Sequence, residues 1–109
     1  MSNELVKVSL YINEADEWHH RPAHIAILVM LREEGLAGGT VLHAVAGFTL
    51  KEGVHTTHLV DAGGKVPLVI DFIDTEEKVK RVMPKLREMV PHRLIVRQAV
   101  VNIVKDWGD

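Results

Sequence analysis

The order of its apolar patterns is the feature that most constrains what this chain can fold into. Strand-like runs at residues 5–12 and 40–48 flank a helical segment at residues 23–34. A third strand at residues 66–73 leads into a second helix, and the apolar run at residues 93–105 predicts a long fourth strand. This β-α-β-β-α-β order predicts an α+β, ferredoxin-like fold, in which two helices cover one face of a four-stranded antiparallel sheet.

The helix boundaries carry recognisable stop and start residues. Pro22 suits a first helical turn, because an amide is not needed there, and Gly35 ends the first helix. Asp74, with Glu77 three residues later, is predicted to cap the second helix. Pro84 interrupts that helix pattern and is expected on its solvated side, since it removes one backbone hydrogen bond.

Both faces of the predicted sheet are apolar. The fourth strand offers Leu94, Val96 and Val100 to one face and Ile95 and Ala99 to the other. Two helices can cover only one of these faces, so the other would leave a large apolar patch in water. We therefore expect self-association through the sheet, with the number of subunits left open by this pattern.

Composition excludes several classes of protein. The 109 residues suit a single domain, here residues 1–109, and the absence of cysteine excludes disulfides and thiolate metal sites. With 13 basic and 15 acidic residues the formal net charge is −2, so no nucleic-acid partner is expected. No apolar stretch is long enough for membrane insertion, and a cytoplasmic location is predicted.

Residues 49–65 lack any periodicity. Connections this long in a compact domain are usually functional or disordered, and the segment is interpreted as a functional loop. Its ends are expected to resume the sheet, as an extended hairpin around Gly53 and the pair Gly63 and Gly64.

Several segments together resemble a known family. They are Trp18-His19 with Pro22, residues 31–42, Ala46-Gly47-Phe48, Val54-His55-Thr56, and residues 66–70 running into residues 74–78. Over about residues 6–104 the chain is similar to the domain of unknown function 190 (DUF190) family, which resembles the PII nitrogen-regulatory proteins. The resemblance implies a PII-like homotrimer with its sheets facing inward, an adenine nucleotide site between subunits, and a loop that engages a protein or transporter target.

The same resemblance implies the site residues. Thr40, Gly47 and Phe48 are expected at the subunit cleft, with Lys51 and His55 on the loop above it. Glycine would let the backbone approach a ligand, lysine would attract an anionic group, and histidine would donate a hydrogen bond. No cofactor and no catalytic residues are expected, so the chain is interpreted as a regulator and not an enzyme.

Three departures from the PII pattern bear on the ligand. The segment between Thr40 and Gly47 is one residue longer, Thr49 replaces a glycine, and residues 90–93 lack a Gly- and Lys-rich phosphate loop. Arg93 and Lys105 are the basic residues near the expected phosphate side. A small anionic metabolite, or a nucleotide with fewer phosphates than a triphosphate, is therefore the expected ligand.

Two other functions stay open. One is a metal-binding trimer resembling the divalent-cation tolerance protein CutA, with His55 and His58 as the ligands. His20 and His24 form a second pair near the start of the first helix. Because structural zinc takes about four ligands and each of these is only a pair, no metal is predicted. A small enzyme would require a cleft that pairs a histidine with a carboxylate.

Overall fold

The computed structural model describes residues 4–49, 53–56 and 66–105. The strands are β1 (Leu5–Asn13), β2 (Glu17–Trp18), β3 (Arg21–Pro22), β4 (Thr40–His43), β5 (Ala46–Thr49), β6 (Gly53–Thr56), β7 (Pro67–Thr75) and β8 (Leu94–Val100), and the helices are α1 (Ala23–Glu33) and α2 (Glu76–Met89). Antiparallel pairing builds a main sheet in the order β4-β7-β1-β8. The predicted α+β, ferredoxin-like fold is confirmed.

The core forms between the main sheet and the two helices. On β1 the residues that alternate inward are buried, and the residues of β7 paired with them are buried as well. The helices contribute residues three or four positions apart, as an amphipathic helix must. The apolar side chains that this arrangement buries most completely are Val8, Leu10, Ile27, Leu31, Leu68, Ile70, Val79, Val82 and Leu86.

The second predicted strand, residues 40–48, is wrong as one element. It divides into β4, in the main sheet, and β5, which pairs with β6 in a separate two-stranded sheet. The Ala44 amide donates to the Pro67 carbonyl at 3.0 Å, and there the ladder stops. Because Pro67 has no N–H, it cannot donate the next bond, and the chain leaves the main sheet at this point.

The fourth strand is also shorter than predicted. β8 ends at Val100, which pairs with Leu5 at the start of β1. Residues 101–105 are exposed and lie outside any strand, because the described part of the chain offers them no neighbour in register. The apolar pattern alone could not reveal this limit.

The ends of the helices follow capping chemistry. Thr75, and not Asp74, is the cap of α2, and its hydroxyl accepts from the Lys78 amide at 3.4 Å. The buried Asp74 carboxylate instead accepts from the Ala37 amide at 2.8 Å, tying the loop after α1 to the end of β7. Gly35 adopts a φ of 84° directly after α1, the conformation that favours glycine at a helix end.

A short hairpin, which the sequence did not predict, precedes α1. β2 and β3 pair across His19 and His20, whose φ values of 52° and 66° are those of a two-residue hairpin turn. Asn and Gly are the usual residues at such a turn, so the sequence carried no signal for it. The rings of Trp18 and His19 stack with their centroids 4.1 Å apart.

The side of the main sheet away from the helices is called here the uncovered face. Residues opposite each other in the ladders share a side of the sheet. The resulting rows across the uncovered face are Leu42, Val69, Tyr11 and Leu94; Thr40, Asp71, Ser9 and Val96; Ile73, Lys7 and Gln98; and Thr75, Leu5 and Val100. Leu94 is 61% exposed and Leu42 is 51% exposed. The predicted apolar character of this side is therefore present at its end near Tyr11.

A polar group interrupts the uncovered face at its centre. The Ser9 hydroxyl donates to the Asp71 carboxylate at 2.6 Å, and Lys7 Nζ lies 4.0 Å from the other carboxylate oxygen. Charged residues also tie the helices to their surroundings, since Arg97 of β8 pairs with Glu76 of α2. Within the described chain, no helix is both long enough and apolar enough to cross a membrane.

Candidate functional site

A cavity of about 240 Å³ lies between β5 and the adjoining end of the main sheet. Its lining comes from β1, β5, β7 and the residues that precede β5 and β8. The lining residues are Tyr11, Ile12, Asn13, Ala44, Ala46, Gly47, Phe48, Pro67, Leu68, Val69 and Arg93. Mostly apolar walls with a few polar groups are typical of small-molecule sites.

The divergence of β5 from the main sheet creates this cavity. Gly47 packs on the Pro67 ring so closely that a Cβ there would lie 3.1 Å from Pro67 Cγ. Any larger residue at position 47 would push the ring or the strand away. Phe48 follows directly, 72% exposed, and provides an aromatic ring at the mouth of the cavity.

The cavity is continuous with the uncovered face. Asn13 pairs with Pro67 and Tyr11 pairs with Val69, so these four lining residues lie on that side of the main sheet. Tyr11 is 47% exposed and belongs to the same row as Leu94. A molecule that covered the uncovered face would therefore also cover one wall of the cavity.

Arg93 is the only cationic residue among the described lining residues. Its Nε and Nη2 atoms each donate to one Asp16 carboxylate oxygen at 2.7 Å. Both side chains are about three-quarters buried, which limits screening by water. Two parallel charge-assisted hydrogen bonds hold the guanidinium in one orientation at the cavity wall.

The backbone around Asp16 fixes the other half of this pair. Its carboxylate also accepts from the Asn13 amide at 3.2 Å, and its own amide donates to the Asn13 carbonyl at 3.0 Å. Its carbonyl accepts from the Ala23 amide at 2.8 Å, at the start of α1. The turn after β1 therefore presents Asp16 to Arg93, 77 residues away in the sequence.

A histidine and a carboxylate lie next to each other close to the cavity. His43 Nε2 lies 3.5 Å from Glu14 Oε2, and both side chains are substantially exposed. Glu14 is adjacent to Asn13 in the lining, and its amide donates to the Val66 carbonyl at 2.8 Å. Two carboxylates, of Glu14 and Asp16, thus lie in the turn that follows the lining residue Asn13.

The structure brings together three of the six predicted site residues. Gly47, Phe48 and Arg93 all line the cavity. Thr40 does not, because it lies on β4 opposite Asp71, in the second row of the uncovered face. Sequence reasoning missed Tyr11, Asn13, Pro67 and Asp16; the proline at the start of an apolar strand was the one available signal, and nothing in the sequence joined Asp16 to Arg93.

The remaining predicted residues fall on the segment after β5. Lys51 and His58 lie outside the described residues. The backbone of His55 belongs to β6, where it pairs with Gly47. The predicted hairpin near Gly53 is therefore present, as β5 and β6, although it does not resume the main sheet.

Metal ligands do not cluster in the part of the chain that the structure describes. Across residues 4–48 and 66–105, no group of three or more His, Asp and Glu side chains is arranged to hold an ion. His43 and Glu14 form only a pair. A metal site built from these side chains would need ligands from elsewhere.

A family comparison agrees with the segments singled out in the sequence. Residues 5–102 match the family model of DUF190, described as uncharacterized ACR. The chain belongs to the DUF190 family. The match includes every strand of the main sheet and the two helices that cover it.

Two curated relatives of this DUF190 chain are similar to most of its length. The UPF0166 protein of Methanocaldococcus jannaschii is 27% identical over 89 residues, covering 82% of each chain. The UPF0166 protein of Aquifex aeolicus is 28% identical over 78 residues, covering 72% of this chain and 74% of its own.

Solved structures share the fold at low identity. CPII of Thiomonas intermedia, a nitrogen regulatory PII-like protein bound to ADP, AMP and bicarbonate, matches with a TM-score of 0.66 and 16% identity, covering 89% of this chain and 86% of its own. The divalent ion tolerance protein CutA1 of Ehrlichia chaffeensis matches with a TM-score of 0.65 and 12% identity, covering 94% and 87%. These likenesses establish the fold of this DUF190 chain.

Proposed function

We propose that this DUF190 chain is a PII-like regulator that binds a small anionic ligand of the adenine nucleotide class in the cavity beside β5. It does so as a homotrimer whose uncovered faces meet. The observation that carries the proposal is the cavity itself, because it combines Gly47, Phe48 and Arg93 and shares a wall with the uncovered face.

The apolar side chains of the uncovered face support the assembly. A row of three apolar residues and Tyr11 crosses the main sheet, and this row borders the cavity. Soluble monomers rarely leave such a continuous patch in water. A second subunit laid on this row would close the cavity from the side of Tyr11 and make it a cleft between subunits.

The lining of the cavity supports the ligand class. Phe48 and Tyr11 supply aromatic surface for a planar base, and the close approach of Gly47 leaves backbone groups accessible. Arg93 supplies the positive charge that a phosphate or bicarbonate requires. CPII, which shares this fold, is bound to ADP, AMP and bicarbonate.

The hairpin that bounds the cavity supports a route for signalling. β5 contributes Gly47 and Phe48 to the lining and pairs with β6, so a ligand against β5 touches the segment 49–65 at its base. A ligand that binds better to one arrangement of this hairpin shifts the population toward it. A protein partner that reads the segment would then respond to the ligand.

Calorimetric titration with ADP, AMP and bicarbonate tests the proposal. We expect saturable binding, and Arg93→Gln should weaken the affinity for AMP about tenfold, since it removes the charge in the wall. Arg97→Gln is the matched control, because Arg97 lies four residues along β8 and pairs with Glu76 on the helix side. Equal loss in both variants, or no binding by the wild type at millimolar ligand, would contradict the proposal.

A CutA-like divalent-ion function is the second candidate. The fold likeness to CutA1 supports it as strongly as the likeness to CPII does. Its ligands would have to include His55 and His58, whose side chains lie outside the described part. Copper and zinc titrations of the wild type and of the His55→Ala, His58→Ala double variant separate the two functions: unchanged metal affinity removes this candidate.

A further inference from the structure

We propose that Asp16 is a specificity-determining residue that limits the negative charge of the ligand accepted by the cavity. This rests on the proposed function, since it concerns the same cavity. By pairing with Arg93, Asp16 neutralises the cation in the wall, and the cavity then favours ligands whose binding comes mainly from stacking and apolar contact over those that depend on many phosphates.

The geometry of the pair carries the first step. Asp16 contacts Arg93 through two hydrogen bonds of 2.7 Å, so the negative charge lies as close to the guanidinium as a bound phosphate would. A phosphate that approaches the same guanidinium is attracted by Arg93 and repelled by the Asp16 carboxylate beside it. The net attraction is therefore small, and it does not grow as phosphates are added.

The anchoring of Asp16 carries the second step. Its carboxylate accepts from the Asn13 amide, and its backbone bonds to Asn13 and to Ala23 at the start of α1. Because these bonds fix the position of the carboxylate, an incoming anion cannot displace it without disturbing the turn after β1. The repulsion is thus a built part of the site and remains when the ligand is bound.

The other charges near the cavity act in the same direction. Glu14 lies one residue beyond the lining residue Asn13, and its carboxylate faces His43 at 3.5 Å. The turn after β1 therefore carries two carboxylates near the cavity, one against Arg93 and one against His43. This balance favours an adenine nucleotide with one phosphate, or a small singly charged anion, over a triphosphate.

The test compares a ligand series with increasing charge. Adenosine, AMP, ADP and ATP are titrated calorimetrically into the wild type, Asp16→Asn and Asp16→Ser. We expect the wild type to bind ATP no more tightly than AMP, whereas both variants should bind AMP about fivefold and ADP about tenfold more tightly, with adenosine changed less than about twofold. Asparagine and serine both keep an oxygen that can accept from the Asn13 amide.

Glu17→Gln is the matched control for charge. Glu17 is exposed and adjacent to Asp16, so its removal changes the net charge of the chain equally without touching Arg93. If Glu17→Gln shifts the ligand series as far as Asp16→Asn does, the effect belongs to the overall field and the inference is wrong. It is also wrong if the Asp16 variants weaken all three nucleotides, because Asp16 would then only position Arg93.

The outcomes separate this inference from the function on which it rests. If the wild type binds none of the four ligands, the proposed function falls and the inference with it. If the wild type binds them and the Asp16 variants leave the relative affinities for adenosine, AMP, ADP and ATP unchanged, the inference alone is wrong. Should neither variant fold, the wild type still decides: its ADP affinity should fall less than about threefold between about 50 and 500 mM NaCl, and a loss above about tenfold overturns the inference.

Discussion

The two sides of the main sheet share one backbone but differ in what covers them. On the helix side, Val8 and Leu10 of β1 are completely buried by α1 and α2. On the uncovered face, the residues of β1 between them are the charged Lys7, the polar Ser9 and the aromatic Tyr11. One side is therefore completed within a single chain, and the other side is left incomplete.

The side that forms the core and the side that borders the cavity are therefore different. On the helix side, the side chains of β1, β7 and the two helices form the hydrophobic core, whereas the cavity of the candidate site opens where the uncovered face meets β5. A second subunit that covered the uncovered face would contribute one wall of the cavity. In the proposed trimer the apolar row both holds the subunits together and closes the cavity, so variants on the two sides of the sheet should have different effects.

The largest effect is expected from a leucine on the helix side. Leu10→Ala should lower the free energy of unfolding by about 2–5 kcal/mol, because it removes a fully buried side chain and leaves a space. Leu94→Ala, on the uncovered face, is the matched control. Urea denaturation followed by circular dichroism should show a loss for Leu10→Ala that is independent of protein concentration.

The control sharpens the comparison through its own concentration dependence. If a second subunit covers Leu94, the loss in Leu94→Ala grows as protein concentration rises, because association contributes to the measured stability. A Leu94→Ala loss below about 1 kcal/mol at every concentration would indicate that this side chain stays in water. That result would contradict the trimer proposal but leave the assignment of the core intact.

A charge on the uncovered face should break the assembly. Leu94→Glu places a carboxylate in the apolar row, and we expect association to weaken by about 2–4 kcal/mol per interface, since a buried charge without a partner is costly. Light scattering after size exclusion should show the wild type as a trimer and the variant as a particle of 12.2 kDa.

Ala99→Glu is the control for this experiment. Ala99 lies on the same strand, exposed, on the opposite side of the sheet. It should leave the assembly unchanged, whereas equal dissociation in both variants would point to a general effect of charge on β8. A wild type that is itself monomeric at tens of micromolar protein would remove the proposed cleft.

The fold was predictable from the sequence because its signals are local and periodic. The alternation in β1, the amphipathic pattern of α2 and the Gly35 stop each act within a few residues. The errors occurred where a distant residue decided. β4 ends early because Pro67 faces it, and β8 ends at Val100 because β1 begins at Leu5.

The lining of the cavity was predictable only in part, for the same reason. Gly47, Phe48 and Arg93 were found through resemblance to a family, which supplies three-dimensional information indirectly. Asp16 was missed, because its role depends on a contact with a residue 77 positions away. Spacing in the sequence carries no information on such a pair. Because β1 and β8 are antiparallel neighbours, the end of β1 lies beside the start of β8, and this brings Asp16 close to Arg93.

The smallest effect concerns the polar group at the centre of the uncovered face. A double-mutant cycle of Ser9→Ala and Asp71→Ala should give a coupling of about 1–2 kcal/mol in unfolding free energy, as expected for a short hydrogen bond to a carboxylate. The cycle of Lys7→Met and Asp71→Asn is the comparison, and its coupling should stay near 0.5 kcal/mol, roughly the value for an exposed ion pair.

Repeating both cycles in the Leu94→Glu background tests what covers this group. Burial under a second subunit removes water that competes for Ser9 and Asp71, so their coupling should be larger in the assembled wild type than in the dissociated background. Equal coupling in both backgrounds would mean that the polar group stays solvated and that any contact between subunits is confined to the apolar row. The position of a neighbouring subunit would then be set by the end of the sheet that carries the cavity.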